Sequence, residues 1–350
     1  MMEKDRLKIL SIESSCDESG LAVIEDGREI IFNSLASQAD IHARFGGIVP
    51  EIASRQHLLT FPKLLKDYIE NSAPHNNIDA ISVTYGPGLA GSLLVGVNFA
   101  KALSLAWDLP VIGVHHLEGH IYANWIRDGQ WDGEIRGDPV LPAVALVVSG
   151  GHTDLVFIET HDRYKIIGQT RDDAAGEAFD KVARILGLRY PGGPEIERLA
   201  TQADKPVVFP KPAIKKSWDF SFSGIKTAVL RFVQKAEKQA PLDDMLKINI
   251  AAGFQQVSVD TLAERLVEAA RVFGAKSVIL SGGVAANQAL RSKVLELSDL
   301  PLWCPKPSLC TDNAAMIGAR ARFLWDVGVR HGMDMDAVPN LRMPYDIGAE

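Results

Sequence analysis

Leu7-Lys8-Ile9-Leu10-Ser11-Ile12-Glu13-Ser14, followed after a short polar turn by Gly20-Leu21-Ala22-Val23-Ile24-Glu25-Asp26, is one half of the pattern that decides the fold. The other half is Leu141-Pro142-Ala143-Val144-Ala145-Leu146-Val147-Val148-Ser149-Gly150-Gly151, followed by Thr153-Asp154-Leu155-Val156-Phe157-Ile158-Glu159-Thr160. Each is an apolar strand that ends in small or polar residues and turns directly into a second strand. Each is then followed by a third strand, over 29–37 and 163–170, and by a helical segment, over 48–70 and 174–186. The echo predicts an internal structural duplication without strong sequence identity. Further strands at 80–85, 109–115 and 275–283 alternate with helical segments at 91–107, 116–126, 244–273, 285–297 and 311–325. Strands alternating with helices mean an α/β protein with mixed sheets.

At roughly 150 residues per domain, 350 residues suit two domains. The expected division is 1–126 plus about 310–340 as a first lobe and about 140–309 as a second. The polar, Gly- and Asp-rich stretch 127–139 reads as a linker or loop between them. An apolar content of 47% with 23% charged residues excludes a disordered tail protein. Lys plus Arg (37) against Asp plus Glu (44) gives a net charge of −7. Any nucleic-acid contact must therefore come from a local basic patch. The densest positive run holds Lys211, Lys215, Lys216 and Lys226 and is the expected phosphate track. The three cysteines, 16, 304 and 310, match no zinc-knuckle or disulfide framework and read as reduced thiols. No stretch approaches 18 uninterrupted apolar residues, and the N-terminus passes from charges straight into a strand without a secretory signal. The expected location is the cytoplasm, with no membrane partner.

Three turns could carry chemistry: Glu13-Ser14-Ser15-Cys16-Asp17-Glu18-Ser19-Gly20, Ser149-Gly150-Gly151-His152-Thr153 and Ser281-Gly282-Gly283-Val284-Ala285-Ala286-Asn287. Glycines let backbone N–H groups approach a phosphate closely, although tight hairpins use them too. The recurrence of such turns in a duplicated chain favours a nucleotide or acyl-phosphate cleft between two lobes. The first turn is acidic, so Asp17 and Glu18 suit a proton, a metal or a substrate amine better than an anion. His116-Leu117-Glu118-Gly119-His120 places two imidazoles at i and i+4, about 40° apart around a helix. That is a workable metal platform, and Asp312 in Cys310-Thr311-Asp312-Asn313 is the best third ligand. Asp312 equally suits a helix N-cap or first-turn acid.

These motifs resemble one family. Gly47-Ile48-Val49-Pro50-Glu51, Tyr85-Gly86-Pro87-Gly88, Asp172-Asp173-Ala174-Ala175-Gly176-Glu177-Ala178-Phe179-Asp180-Lys181, Tyr190-Pro191-Gly192-Gly193-Pro194 and Phe220-Ser221-Phe222-Ser223-Gly224-Ile225-Lys226-Thr227 join the segments already quoted. Together they follow the order of the bacterial and organellar TsaD family over about 8–325. The resemblance implies an actin/sugar-kinase/Hsp70-like (ASKHA) fold of two duplicated lobes around a cleft. It implies transfer of threonylcarbamoyl from threonylcarbamoyl-AMP to N6 of adenosine 37 in tRNAs reading codons that begin with A. Carried over residue by residue, His116, His120 and Asp312 would bind one divalent metal, iron(II) or else zinc. Val147, Val148, Ser149, Gly150, Gly151, Asp180, Gly193, Glu197 and Asn287 would hold the adenylate and its arm; relatives often carry Asp where Glu197 stands. Asp17 and Glu18 would be the acidic pair near the acceptor. The partners implied are tRNA, a TsaB-like paralogue and a TsaE-like ATPase.

Three other classes are weaker. A zinc peptidase needs the HExxH order, and here Glu118 sits two residues after the first His, pointing away from the ligand face. A non-catalytic paralogue would lack the paired His. A small-molecule kinase would not be expected to carry the acidic turn.

Overall fold

A computed structural model describes residues 6–71, 78–127, 137–212, 214 and 217–343. Residues 128–136 of the expected linker, and Lys215 and Lys216, lie outside the described residues. The chain forms two compact units, Met1–Asp138 with Ser308–Glu350, and Pro139–Pro307.

Unit 1 begins with β1 (Lys8–Glu13), β2 (Glu18–Glu25), β3 (Glu29–Ser37), α1 (Ala39–Ala43) and α2 (Pro50–Asn71). It continues with β4 (Ala80–Gly86), α3 (Ala90–Trp107), β5 (Val111–His115) and α4 (His116–Tyr122). Its sheet runs β3-β2-β1-β4-β5. β1 is antiparallel to β2, with Ile12 opposite Leu21, and parallel to β4, with Ile12 beside Val83. β1 is buried at successive positions because it is central and covered on both faces, whereas β3 alternates half-buried and exposed as an edge strand.

Unit 2 repeats the plan. β6 (Ala143–Val148), β7 (Thr153–Thr160) and β8 (Arg163–Gln169) precede α5 (Ala175–Ile185), α6 (Gly192–Ala200), α7 (Ser223–Glu237) and α8 (Asp244–Val272). β9 (Ser277–Ser281), α9 (Gln288–Leu297) and β10 (Leu302–Trp303) complete it. The sheet order β10-β9-β6-β7-β8 is that of unit 1 with each strand replaced by its counterpart, including the antiparallel β6–β7 and parallel β6–β9 pairings. The chain then passes through α10 (Pro307–Cys310) into α11 (Ala314–Asp326), which packs on unit 1 against α4, β1 and β2.

Several boundaries differ from the sequence expectation for local reasons. The helix expected over 116–126 stops at Tyr122 and tightens into a 3₁₀ turn over Ala123–Trp125. The helix expected from 285 starts at Gln288, because Asn287 is extended and its Oδ1 accepts the N–H of Leu290. The helix expected from 311 starts at Ala314, capped by Asn313. α3 reaches a mean hydropathy of 1.3, enough in length and composition for a membrane span. It does so with polar residues interspersed, and its Val97, Ala100 and Leu103 lie in the unit 1 core with Ile81, Val83 and Phe61. It packs as a core helix.

Candidate active site

The strongest constellation lies within unit 1. β5 ends at His115 and α4 starts without a linker, so the cap must come from the strand itself. His115 Nδ1 accepts the N–H of Leu117 at 3.2 Å, and Nε2 donates to the carbonyl of Leu341 at 3.3 Å. Burial holds His115 down to about 4, so it remains the neutral imidazole this cap requires. One residue on, His116 and His120 share a face of α4, their ring centroids 4.7 Å apart. Asp312, 192 residues beyond His120, places Oδ1 at 3.0 Å from His120 Nε2 and 3.5 Å from His116 Nε2. One ligand atom from each of the three lies within 4.8 Å of the others.

Packing of α4 on α11 makes this convergence possible. Gly119 faces α11, and a Cβ there would meet Ile317 Cδ1 at 2.7 Å and Met316 Cγ at 3.3 Å. On the same side Glu118 accepts from Arg320 Nε at 2.5 Å, both side chains almost fully buried, and the Arg320 guanidinium lies 4.6 Å from the Tyr122 ring centroid. Asp312 does not cap α11. That task falls to Asn313, whose Oδ1 accepts the N–H of Met316 at 3.0 Å, leaving the neighbouring carboxylate to the histidines.

The acids and imidazoles of the group shift one another. Burial alone would push the Asp312 carboxyl up, but the charge of His116 and hydrogen bonds from His116 and His120 hold it well below the usual range. Burial likewise works against a charged His116, yet Glu13 and Asp312 outweigh it and raise its basicity. Two imidazole nitrogens and one carboxylate oxygen, without thiolate, suit a single divalent transition metal, so the residues fit one metal ion.

The acidic turn between β1 and β2 stands beside the start of α11, where a Cβ on Gly20 would lie 2.9 Å from the N of Ala314. Glu13 is wholly buried: Oε1 accepts the N–H of Ser15 at 2.6 Å, Oε2 accepts the Thr84 hydroxyl at 2.5 Å, and Oε2 lies 3.3 Å from His116 Nδ1. Asp17 is buried, and Glu18 is partly buried with Oε1 accepting from the Ser37 hydroxyl. Burial, then the charge of Asp312 and the neighbouring Asp17, push Glu18 up to about 9. Burial and the surrounding acids raise the Cys16 thiol, which makes it an unreactive group.

Unit 2 gathers most of the remaining candidates around its glycine turns. The Ser149 hydroxyl accepts the N–H groups of Gly151 and His152 and so braces the turn after β6. Gly282, at φ +88°, passes so close to the Val148 carbonyl that no Cβ fits. Open space surrounds the Cβ positions of Gly150, Gly151, Gly193 and Gly283. Val147 and Val148 bury their side chains in the core. Asp180 Oδ1 accepts the N–H of Gly192 at 2.7 Å, Glu197 Oε1 accepts that of Gln288 at 2.6 Å, and Asn287 donates to Gln255 while capping α9. These polar residues therefore tie α5, α6, α8 and α9 together.

The basic run is less positive than its sequence implies. Lys211 pairs with Glu264 at 2.6 Å, and Lys226 pairs with Asp173 at 2.5 Å. Sequence reasoning also left Ser15, Thr84, Asn313 and Arg320 without roles. Of these only Asn313 carried a local signal, as a strong capping type directly before an apolar run.

A model of the TsaD family, described as tRNA N6-adenosine threonylcarbamoyltransferase, matches residues 29–319. A tRNA N6-adenosine threonylcarbamoyltransferase of Symbiobacterium thermophilum is 50% identical over 338 residues, covering 95% of this chain and 96% of the relative. That of Bacillus subtilis is 44% identical over 353 residues, covering 98% of each. Among solved structures, HypF of T. kodakarensis superposes with a TM-score of 0.61 at 14% identity, over 93% of this chain and 48% of HypF. Component A of the Acidaminococcus fermentans (R)-2-hydroxyglutaryl-CoA dehydratase gives 0.52 at 20% identity, over 91% and 97%. At such identities these two likenesses concern the fold alone, which is of the ASKHA type.

Proposed function

The chain belongs to the TsaD family of tRNA N6-adenosine threonylcarbamoyltransferases, and from that membership we propose how its residues carry the transfer. It is a transferase acting in tRNA modification. The donor we assign is threonylcarbamoyl-AMP and the acceptor N6 of adenosine 37, in tRNAs reading codons that begin with A. N6 attacks the carbamoyl carbon, a C–N bond forms, the C–O bond to the phosphate breaks, and AMP leaves with that electron pair. N6 must shed a proton in the process.

The observation that carries this reading is the convergence of His116, His120 and Asp312 beside the Glu13–Gly20 turn. A divalent ion held by these three, iron(II) or zinc, would supply Lewis acidity and offset negative charge developing on the carbamoyl oxygen. Asp17 and Glu18, in the turn beside these three residues, are the acids to which we give the N6 proton. In unit 2 the open Gly150-Gly151 turn would let the adenylate phosphate approach its backbone closely, and Gly193 is likewise unobstructed. Asp180, Glu197 and Asn287 would hold the shape of that surface. The paralogue and ATPase partners, and a cytoplasmic location, belong to the same proposal.

A peptidase reading loses its base, since Glu118 is committed to Arg320. The decisive experiment incubates metal-loaded protein with synthetic threonylcarbamoyl-AMP and tRNA and measures modified adenosine by nucleoside mass spectrometry. Product with the wild type and its loss in Asp312→Ala are expected. No product from correctly loaded wild type, with and without the partner proteins, would overturn the assignment.

A further inference from the structure

We propose that Glu13 is a positioning residue for the metal centre: it accepts the Nδ1–H of His116, so that the Nε2 lone pair faces His120 and Asp312. The inference rests on the metal reading above and adds to it a residue outside the ligand set.

A carboxylate with no solvent exposure is costly unless donors surround it. Glu13, the last residue of β1, has three. The N–H of Ser15 reaches Oε1 at 2.6 Å and the hydroxyl of Thr84, from β4, reaches Oε2 at 2.5 Å. Both come from the sheet and its turn, so the carboxylate is anchored independently of α4. The third is His116 Nδ1, 3.3 Å from the same Oε2. An imidazole that binds a metal through one nitrogen usually donates from the other, and the acceptor sets tautomer, ring orientation and basicity.

One competitor stands nearby. The Ser15 hydroxyl lies 3.2 Å from the same Nδ1 and could donate to it, which would put the proton on Nε2 and turn the lone pair away from the metal. The carboxylate decides between the two arrangements. With Nδ1 unprotonated, its lone pair would face Oε2 across 3.3 Å in a buried site; with Nδ1 protonated, that contact becomes a charge-assisted hydrogen bond. Ser15 is then a second acceptor or a bystander.

The test uses the full chain and Zn(II) as probe. Zn(II) affinity is measured by chelator competition for wild type, Glu13→Gln and Ser15→Ala, and the His116 tautomer by long-range ¹H–¹⁵N NMR of ¹⁵N-histidine protein loaded with Zn(II). The expected results are a proton on His116 Nδ1 in the wild type, a Zn(II) dissociation constant about 10- to 100-fold higher in Glu13→Gln, and about the wild-type value in Ser15→Ala. The wild-type spectrum and Ser15→Ala decide the matter even if Glu13→Gln does not fold. An unprotonated Nδ1, a Ser15→Ala loss as large as that expected for Glu13→Gln, or a folded Glu13→Gln that binds Zn(II) like wild type would each overturn the assignment. If the wild type retains no Zn(II), the metal reading falls and this inference with it; equal binding by wild type and Glu13→Gln removes only the inference.

Discussion

Replacing Glu118 by Leu separates a structural clamp from a chemical group. Glu118 and Arg320 are exposed by only 2% and 1%, and each is the other's charge partner across the α4–α11 contact. Glu118→Leu roughly keeps the volume but takes from the buried guanidinium the carboxylate that its Nε meets, while the contact with the Tyr122 ring stays. Removing one member of a buried pair costs about 3–5 kcal/mol. For a folding unit in the 150–250 residue range, about 2–4 °C of melting temperature is lost per kcal/mol. The melting of unit 1, followed by scanning calorimetry, should therefore fall by roughly 6–20 °C. Replacing the pair together, Glu118→Leu with Arg320→Met, should recover most of that loss, because a well-packed apolar pair avoids the desolvation penalty of two ions. Zn(II) affinity should follow stability in both variants, since the clamp holds the His helix against the segment that carries Asp312. A Glu118→Leu protein that melts within about 1 °C of wild type yet transfers nothing would refute the clamp and return Glu118 to chemistry.

Asp312→Ala should abolish stoichiometric Zn(II) loading, whereas Asn313→Ala should retain it and lower stability by about 1 kcal/mol through loss of the α11 cap; metal analysis beside thermal melts distinguishes them, and retained metal in Asp312→Ala with loss in Asn313→Ala would reverse the two roles. Gly150→Val should fold normally, because its Cβ meets nothing within 4 Å, while losing adenylate affinity in calorimetric titration with a non-hydrolysable analogue; full affinity would leave the turn a purely structural element. Asp154 is buried and pushed up to about 6, so the folded protein holds a proton there that the unfolded chain has released. The stability tied to that proton is complete below about pH 4 and is lost as pH rises through 6. Asp154→Asn keeps an acceptor for Gln169, and should erase that slope and stabilise the protein at pH 8 by up to about 3 kcal/mol; an unchanged pH profile in denaturant titrations would contradict the shift.

The duplicated architecture was legible in the chain itself. Strand and helix periods are local properties, and the strand–turn–strand–strand–helix pattern that starts at Leu7 and again at Leu141 appears as two sheets of identical order. The His116–His120 spacing likewise determined that both imidazoles share one face of α4, since the helix repeat alone fixes that angle. Tertiary structure decided the rest. Asp312 and Asn313 are adjacent and both suit a helix start; only the docking of α4 on α11 through Gly119 and Ile317 gives the acid to the histidines and the cap to the amide. Glu13 was one acid among three in its turn until β4 brought Thr84 to it and the end of β5 brought His116. Lys211 and Lys226 counted as a positive run until Glu264 and Asp173 folded onto them. A chain's periodicity is set by neighbours three or four residues away, whereas the partner of a charge, 53 to 192 residues distant in these cases, is set by which backbones the fold brings together.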